Sequence, residues 1–163
     1  MPRKPYPILI AGLCLLAIAG YSFADTEDTQ FLFVQSASTG SFDGATLTLD
    51  GVGTTSYFSD RPKRIVGHLR NEIFVSQWAE GDDSFASNPP NAVLSVLGES
   101  GAIDATLELS SPKLDGDQIT YQVKLLDGEP PMAFKSATLF IDSKTGAFIG
   151  GMVAGHVLDN MSR

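Results

Sequence analysis

The chain has 163 residues, with 19 acidic against 11 basic side chains, a formal net charge of −8 and one cysteine, Cys14. An acidic surface of this kind repels nucleic acid phosphates and anionic lipid, which argues against a nucleic acid partner. Cys14 falls in the leader described next, so the remainder of the chain has no disulfide, thiol nucleophile or Cys-ligated metal.

Basic Arg3 and Lys4 precede the apolar run Ile8 to Ala19, and Ser22-Phe23-Ala24 puts small residues at the two positions a signal peptidase inspects. This predicts a secretory signal peptide over residues 1–24, cut between Ala24 and Asp25, and a periplasmic or secreted product. The run is shorter than the roughly 20 residues of a spanning helix, and no second long apolar stretch follows, so no transmembrane anchor is expected in the mature form. Leu13 before Cys14, and the position of Cys14 in mid-run, speak against a lipoprotein. Removing residues 1–24 takes away two of 11 basic residues and no acidic one, which leaves 9 against 19 and a formal charge of −10. Residues 25–163 then form a single domain, long enough to bury one core without disulfide staples.

Asp25 to Gln30 is polar and aperiodic, and reads as a short disordered lead. Phe31-Leu32-Phe33-Val34 has apolar residues at both parities and predicts a strand buried on both faces. Ala45, Leu47 and Leu49 alternate with polar residues, and Gly51-Val52-Gly53 reads as the turn of a hairpin whose second strand is Thr54 to Phe58. Asn71 to Gly81 breaks the period of two: Asn71 reads as a cap, Glu72 is an acid in the first turn, Gly81 stands behind, and Phe74 and Trp78 share one face. It predicts a short helix lying on the sheet. Ala92 to Leu97 follows Asn88-Pro89-Pro90-Asn91 as a further strand. The alternations of Ile103, Ala105, Leu107, Leu109 and of Ile119, Tyr121, Val123, Leu125, separated by the turn-rich Pro112 to Asp117, imply two strands of opposite direction. Ala137 to Asp142 completes the set. Short strands parted by Gly, Pro and Asp turns define an all-β fold, an antiparallel β-sandwich or open barrel with one short helix.

The densest chemical cluster runs from Tyr57 to Arg64 and closes at Gly67-His68, with Arg61, Lys63, Arg64 and Arg70 as a basic island in an acidic chain. Guanidinium forks suit anions and carboxylates, which makes Ser59, Asp60, Arg61, Arg64 and His68 the candidate binding residues. The competing structural reading is an Asp60–Arg61 pair ordering a turn, with Pro62 ending the ladder. His68 with Asp60 could form a general-base pair, but His68 and His156 are the only histidines, too few for an expected zinc site. Asp82-Asp83 and Asp115-Gly116-Asp117 offer oxygens to calcium without the spacing of an EF-hand loop, and read as turns. No nucleophile elbow, zincin, phosphate-loop or dinucleotide motif is present, so neither metal nor organic cofactor is expected. Trp78, Phe85 and the proline pair could line a groove for a hydrophobic guest, though core packing is the reading their spacing favours.

Tyr57-Phe58-Ser59-Asp60-Arg61-Pro62 with Arg64 and Gly67-His68, then Phe74 and Trp78, then Phe85 with Asn88-Pro89-Pro90-Asn91-Ala92, and later Asp127-Gly128-Glu129-Pro130 and Leu139-Phe140-Ile141-Asp142, resembles a family of uncharacterised secreted bacterial proteins. The resemblance implies an exported single-domain protein of Gram-negative type, and it brings no activity. The resulting expectation is an exported binding or accessory module of unknown small-molecule or protein partner, presenting Ser59 to Arg70. The alternatives are a small hydrolase or metal-assisted enzyme using His68 with Asp60, and an envelope protein that binds another protein by strand addition.

Overall fold

A computed structural model describes residues 30–59 and 64–143. Eight strands and one helix follow in the order β1 (Phe31–Phe42), β2 (Thr46–Asp50), β3 (Thr55–Ser59), β4 (Val66–Leu69), α1 (Asn71–Ser76), β5 (Asn91–Gly98), β6 (Gly101–Asp115), β7 (Gln118–Asp127) and β8 (Ala133–Ser143). All pairings are antiparallel, in the order β2-β7-β6-β5-β8-β1-β3-β4, and the extra pairing of β2 with β1 closes six of the strands into a barrel. The all-β expectation holds, and the barrel rather than the sandwich is the form adopted. Among the described residues no helix is long and apolar enough to cross a membrane.

Closure depends on β1. One of its edges is occupied along nearly its whole length by β8, from Phe31↔Ser143 to Ser41↔Ala133. The opposite edge is shared: β3 takes Phe31 to Gln35 and β2 takes Thr39 to Phe42. The two registers differ by one residue, so β2 and β3 are one antiparallel run interrupted at Gly51 to Thr54. They do not pair with each other, and the expected hairpin about Gly51-Val52-Gly53 is absent. The physical reason lies at Val52: its side chain is buried, its N–H donates to Asp117 O at 2.9 Å, and its carbonyl is held from the other side by Asn71. Beyond this pivot the chain leaves β7 and gains β4 instead.

The interior follows the period of two. Phe33, Leu47, Leu49, Leu94, Leu107, Leu109, Ile119, Tyr121, Leu139 and Ile141 are fully buried, and the small Ala37, Ala92, Ala105 and Ala137 are buried with them. A small barrel is filled this way, with large side chains facing small ones. Gly40 is small for a more local reason, since a Cβ there would lie 2.5 Å from the Phe134 ring on β8 and from the Thr48 carbonyl on β2, the two strands that flank it. Leu32 is exposed and Val34 half-buried, so the start of β1 is not buried on both faces as its composition suggested. β6 runs through the expected turn region to Asp115, with the extra residue absorbed as a bulge between Ser110 and Lys113, where Ser111 has φ 50°. Bulges add a residue without ending the ladder.

One end of the barrel is closed by aromatic rings. Phe74 stands edge-on to Phe33 at 5.2 Å and to Trp78 at 5.8 Å, while Trp78 reaches Phe85 at 4.9 Å and Tyr121 at 5.8 Å. Tilted and edge-to-face pairs of this kind add to the burial each ring contributes. The helix is shorter than expected and ends at Ser76, with Trp78 in the turn that follows; the N-cap position is Arg70, not Asn71, whose side chain is turned into the interior. Trp78 and Phe85 are therefore core residues of a plug and do not line a groove.

Candidate functional site

The candidate binding residues fall on the β3–β4 hairpin, and the fold of that hairpin decides what they can do. β3 and β4 pair from Phe58↔Val66 to Thr55↔Leu69. The connection is drawn together at Ser59, whose N–H donates to Ile65 O at 2.8 Å while its Oγ accepts from Ile65 N–H at 2.6 Å. Asp60 and Arg61, with Pro62 and Lys63, lie outside the described residues, as does His156. Ser59 is thus engaged in closing the loop. Arg64 is exposed, and so is His68, which projects from the outer face of β4 at the same parity as Val66 and Arg64. Along an extended chain Arg64 and His68 are about 13 Å apart, while Ser59 belongs to the inner parity with Tyr57. The hairpin does not gather Ser59, Arg64 and His68 into one pocket. His68 on an open face weighs against the hydrolase reading, which needs convergence of groups in a cavity.

A free sheet edge is what the hairpin does present. Among the described residues β4 is paired on its β3 side only. Antiparallel ladders alternate, so with Ile65 bonded to Ser59, the main-chain groups of Gly67 and Leu69 also point to β3 and those of Val66 and His68 point outward. The inner side of β4 is held down by Gly67, across from Tyr57: a Cβ at 67 would lie 2.5 Å from the Tyr57 hydroxyl. Tyr57 is buried over that glycine and stands 6.1 Å from the Phe31 ring.

A chain of buried polar groups ties the hairpin to the barrel. The Tyr121 hydroxyl donates to Gln35 Oε1 at 2.8 Å, Gln35 Nε2 donates to Thr55 Oγ1 at 2.9 Å, Thr55 donates to Asn71 Oδ1 at 2.8 Å, and Asn71 Nδ2 donates to Val52 O at 2.7 Å. No buried side-chain polar atom among the described residues lacks a partner. Burial pushes the Tyr121 hydroxyl well above its ordinary range, against a smaller opposing effect of Gln35. The phenol therefore stays protonated and donates. Every member serves its neighbour, so the chain is structural. Of its members, Gln35 was legible only as the next inward position after Phe31 and Phe33.

Other candidates resolve into turns. Asp115 and Gln118 close a tight β6–β7 turn around Gly116, and no group of three or more His, Asp or Glu side chains is arranged to hold a metal among the described residues. A shallow outer depression of about 380 Å³ is lined by Ser36, Ser95, Ser136, Thr138 and Leu97, without a charged or titratable side chain.

Comparison with protein-family models, with curated proteins and with solved structures finds no match to this chain.

Proposed function

We propose that the protein is an exported accessory module that holds an extended stretch of a partner polypeptide by strand addition along β4. The observation that carries this reading is the edge itself, where Val66 and His68 direct their main-chain donors and acceptors away from the sheet. An added strand satisfies such groups directly, and alternate side chains of the guest supply specificity. The basic residues Arg61, Lys63, Arg64 and Arg70, close to β4 in sequence, favour a guest with acidic positions. The signal-like leader supports action outside the cytoplasm.

Binding of two synthetic ten-residue peptides, one alternating valine with glutamate and one alternating valine with lysine, measured by fluorescence anisotropy, tests the reading. The glutamate peptide is expected to bind, and His68→Pro to abolish binding, because proline removes an outward N–H without touching the β3–β4 ladder. His68→Ala is expected to bind as the parent does. Binding that survives His68→Pro but is lost in Arg61→Ala with Arg64→Ala would instead indicate an anion site at the tip.

A further inference from the structure

The outer side of β4 carries an ordered set of side chains. Exposure alternates without a break: Arg64, Val66, His68 and Arg70 are exposed, Ile65 and Gly67 are half-buried and Leu69 is buried. Arg70 is extended, with φ −67° and ψ 145°, so the alternation reaches the residue before α1. The two arginines therefore stand on the outer face at either end of the edge, about 20 Å apart, with Val66 and His68 between them. No Asp or Glu occurs from Arg64 to Arg70, although the chain holds 19 acidic residues against 11 basic ones. Toward the barrel, Val66 lies opposite Phe58 and Phe58 opposite Leu32. These three are 68%, 45% and 38% exposed and form an apolar row that ends at the β4 edge.

Such an edge has a definite complement. Every pairing in the sheet is antiparallel, and a guest added in the same sense meets β4 in reverse order. From its N-terminus, the outer-face residues of the guest stand opposite Arg70, His68, Val66 and Arg64 in turn. Directly opposed side chains on one face favour opposite charges and apolar contacts, and like charges there are unfavourable. The complement is a seven-residue stretch with an acid at its first and seventh positions and an apolar residue at its fifth, which continues the row of Val66, Phe58 and Leu32. A second copy of this chain is the wrong complement. When two β4 edges overlap over residues 64–70 about a two-fold axis at Gly67, Arg64 of each copy meets Arg70 of the other.

We propose that Arg64 and Arg70 are the specificity-determining residues of the β4 edge, and that they select an extended polypeptide segment with two carboxylates six residues apart. The proposal rests on the strand-addition reading and adds to it the register of the guest.

Three peptides, acetylated and amidated at their ends, test it against the full chain by fluorescence anisotropy at low salt. The first is Glu-Thr-Thr-Thr-Val-Thr-Glu. The second, Thr-Glu-Thr-Thr-Val-Glu-Thr, has the same composition with its acids four residues apart, so no register brings both to the arginines. The third replaces the two acids of the first with lysine. The first is expected to bind at least about threefold more tightly than the second, a margin that narrows at high salt. In Arg64→Glu with Arg70→Glu the third is expected to bind best, with the circular dichroism unchanged. Equal binding of the first two, both lost in His68→Pro, would leave strand addition standing and overturn the assignment of the arginines. Binding of neither would overturn the strand-addition reading and this assignment with it. Self-association that rises with concentration in sedimentation and is lost in His68→Pro would give the edge to a second copy, which also overturns the assignment.

Discussion

The barrel and the β3–β4 hairpin are built from the same antiparallel pairing, yet they differ in what they leave over. Each of the six barrel strands has neighbours on both edges, and its inward residues fill a continuous core. Among the described residues β4 has one neighbour, is four residues long and buries only Leu69. The hairpin is held by Phe31 against Tyr57, by Leu69, and by the polar chain from Tyr121 to Val52. Elements with few buried apolar contacts open at lower free energy than the core they adjoin. Unpaired main-chain groups and few buried apolar contacts thus fall on one element, which is why the proposed partner strand is assigned to it.

The largest effects should expose this contrast. Leu107→Ala deletes a fully buried side chain from the barrel and is expected to cost about 2–5 kcal/mol by urea unfolding, felt by every amide. Leu69→Ala should act differently: it should raise hydrogen exchange at Val66 to Leu69 and in β3 while leaving the slowest barrel amides close to their original rates. If Leu69→Ala instead lowers protection uniformly, hairpin and barrel form one cooperative unit and the distinction fails.

Next in size is the polar link. Asn71→Ala strands the Val52 carbonyl and leaves the Thr55 hydroxyl without its acceptor, a loss of about 1–3 kcal/mol for unsatisfied buried groups. Because Val52 is the pivot at which the run from β2 to β3 changes partners, hairpin amides should respond more than those of β5 or β6.

What could be read in the sequence follows the same division. The alternations of β6 and β7 were legible because apolar inward residues such as Leu107, Leu109, Ile119 and Tyr121 stand between polar ones, while β5 and the end of β8 were legible as apolar runs bounded by turn residues. The second half of β1, Ser36 to Phe42, was not, since before Phe42 its buried positions are only Ala37 and Gly40, the latter small because the Phe134 ring and the Thr48 carbonyl of the flanking strands crowd it. β4 escaped for a related reason: its middle inward residue is Gly67, chosen for the Tyr57 ring above it, so Val66 to Leu69 shows no apolar period. The β2–β3 hairpin was misread because Gly51-Val52-Gly53 has the composition of a turn, while the bonds that make it a bend come from Asp117 and Asn71, remote in sequence. The island was visible as charge, but charge does not reveal that Ser59 and His68 lie on opposite faces of the hairpin.

Tyr121→Phe sharpens the comparison with a pH dependence. The hydroxyl's folded pKa is raised above its ordinary value of 10 by burial. The unfolded chain therefore ionises first, and the stability associated with the protonated phenol, complete below about pH 10, is lost as pH rises further. Tyr121→Phe should cost about 1 kcal/mol at neutral pH, through the acceptor left on Gln35, and should flatten the alkaline decline. An alkaline limb unchanged by this substitution would show that other groups govern it.

The smallest expected effect lies at the seam where β1 turns into β2, on the barrel side of the comparison. Asp43 Oδ1 accepts from the Ala45 N–H at 3.0 Å and the Thr46 N–H at 2.7 Å, and these backbone bonds hold its carboxyl below the ordinary value of 3.8. The sign is opposite to that of Tyr121. A depressed carboxyl stabilises the fold above its unfolded pKa, and that contribution fades as pH falls through the folded value. Asp43→Asn retains an oxygen acceptor for both N–H groups but has no proton to take up there, so it should behave as the parent at pH 7 and lose less stability on acidification below about pH 4. Solvent around this exposed side chain keeps the difference small. Since β1 pairs with β2 at this seam and with β3 only further along, the change should appear in exchange of the Thr46 to Asp50 amides and leave Val66 to Leu69 untouched.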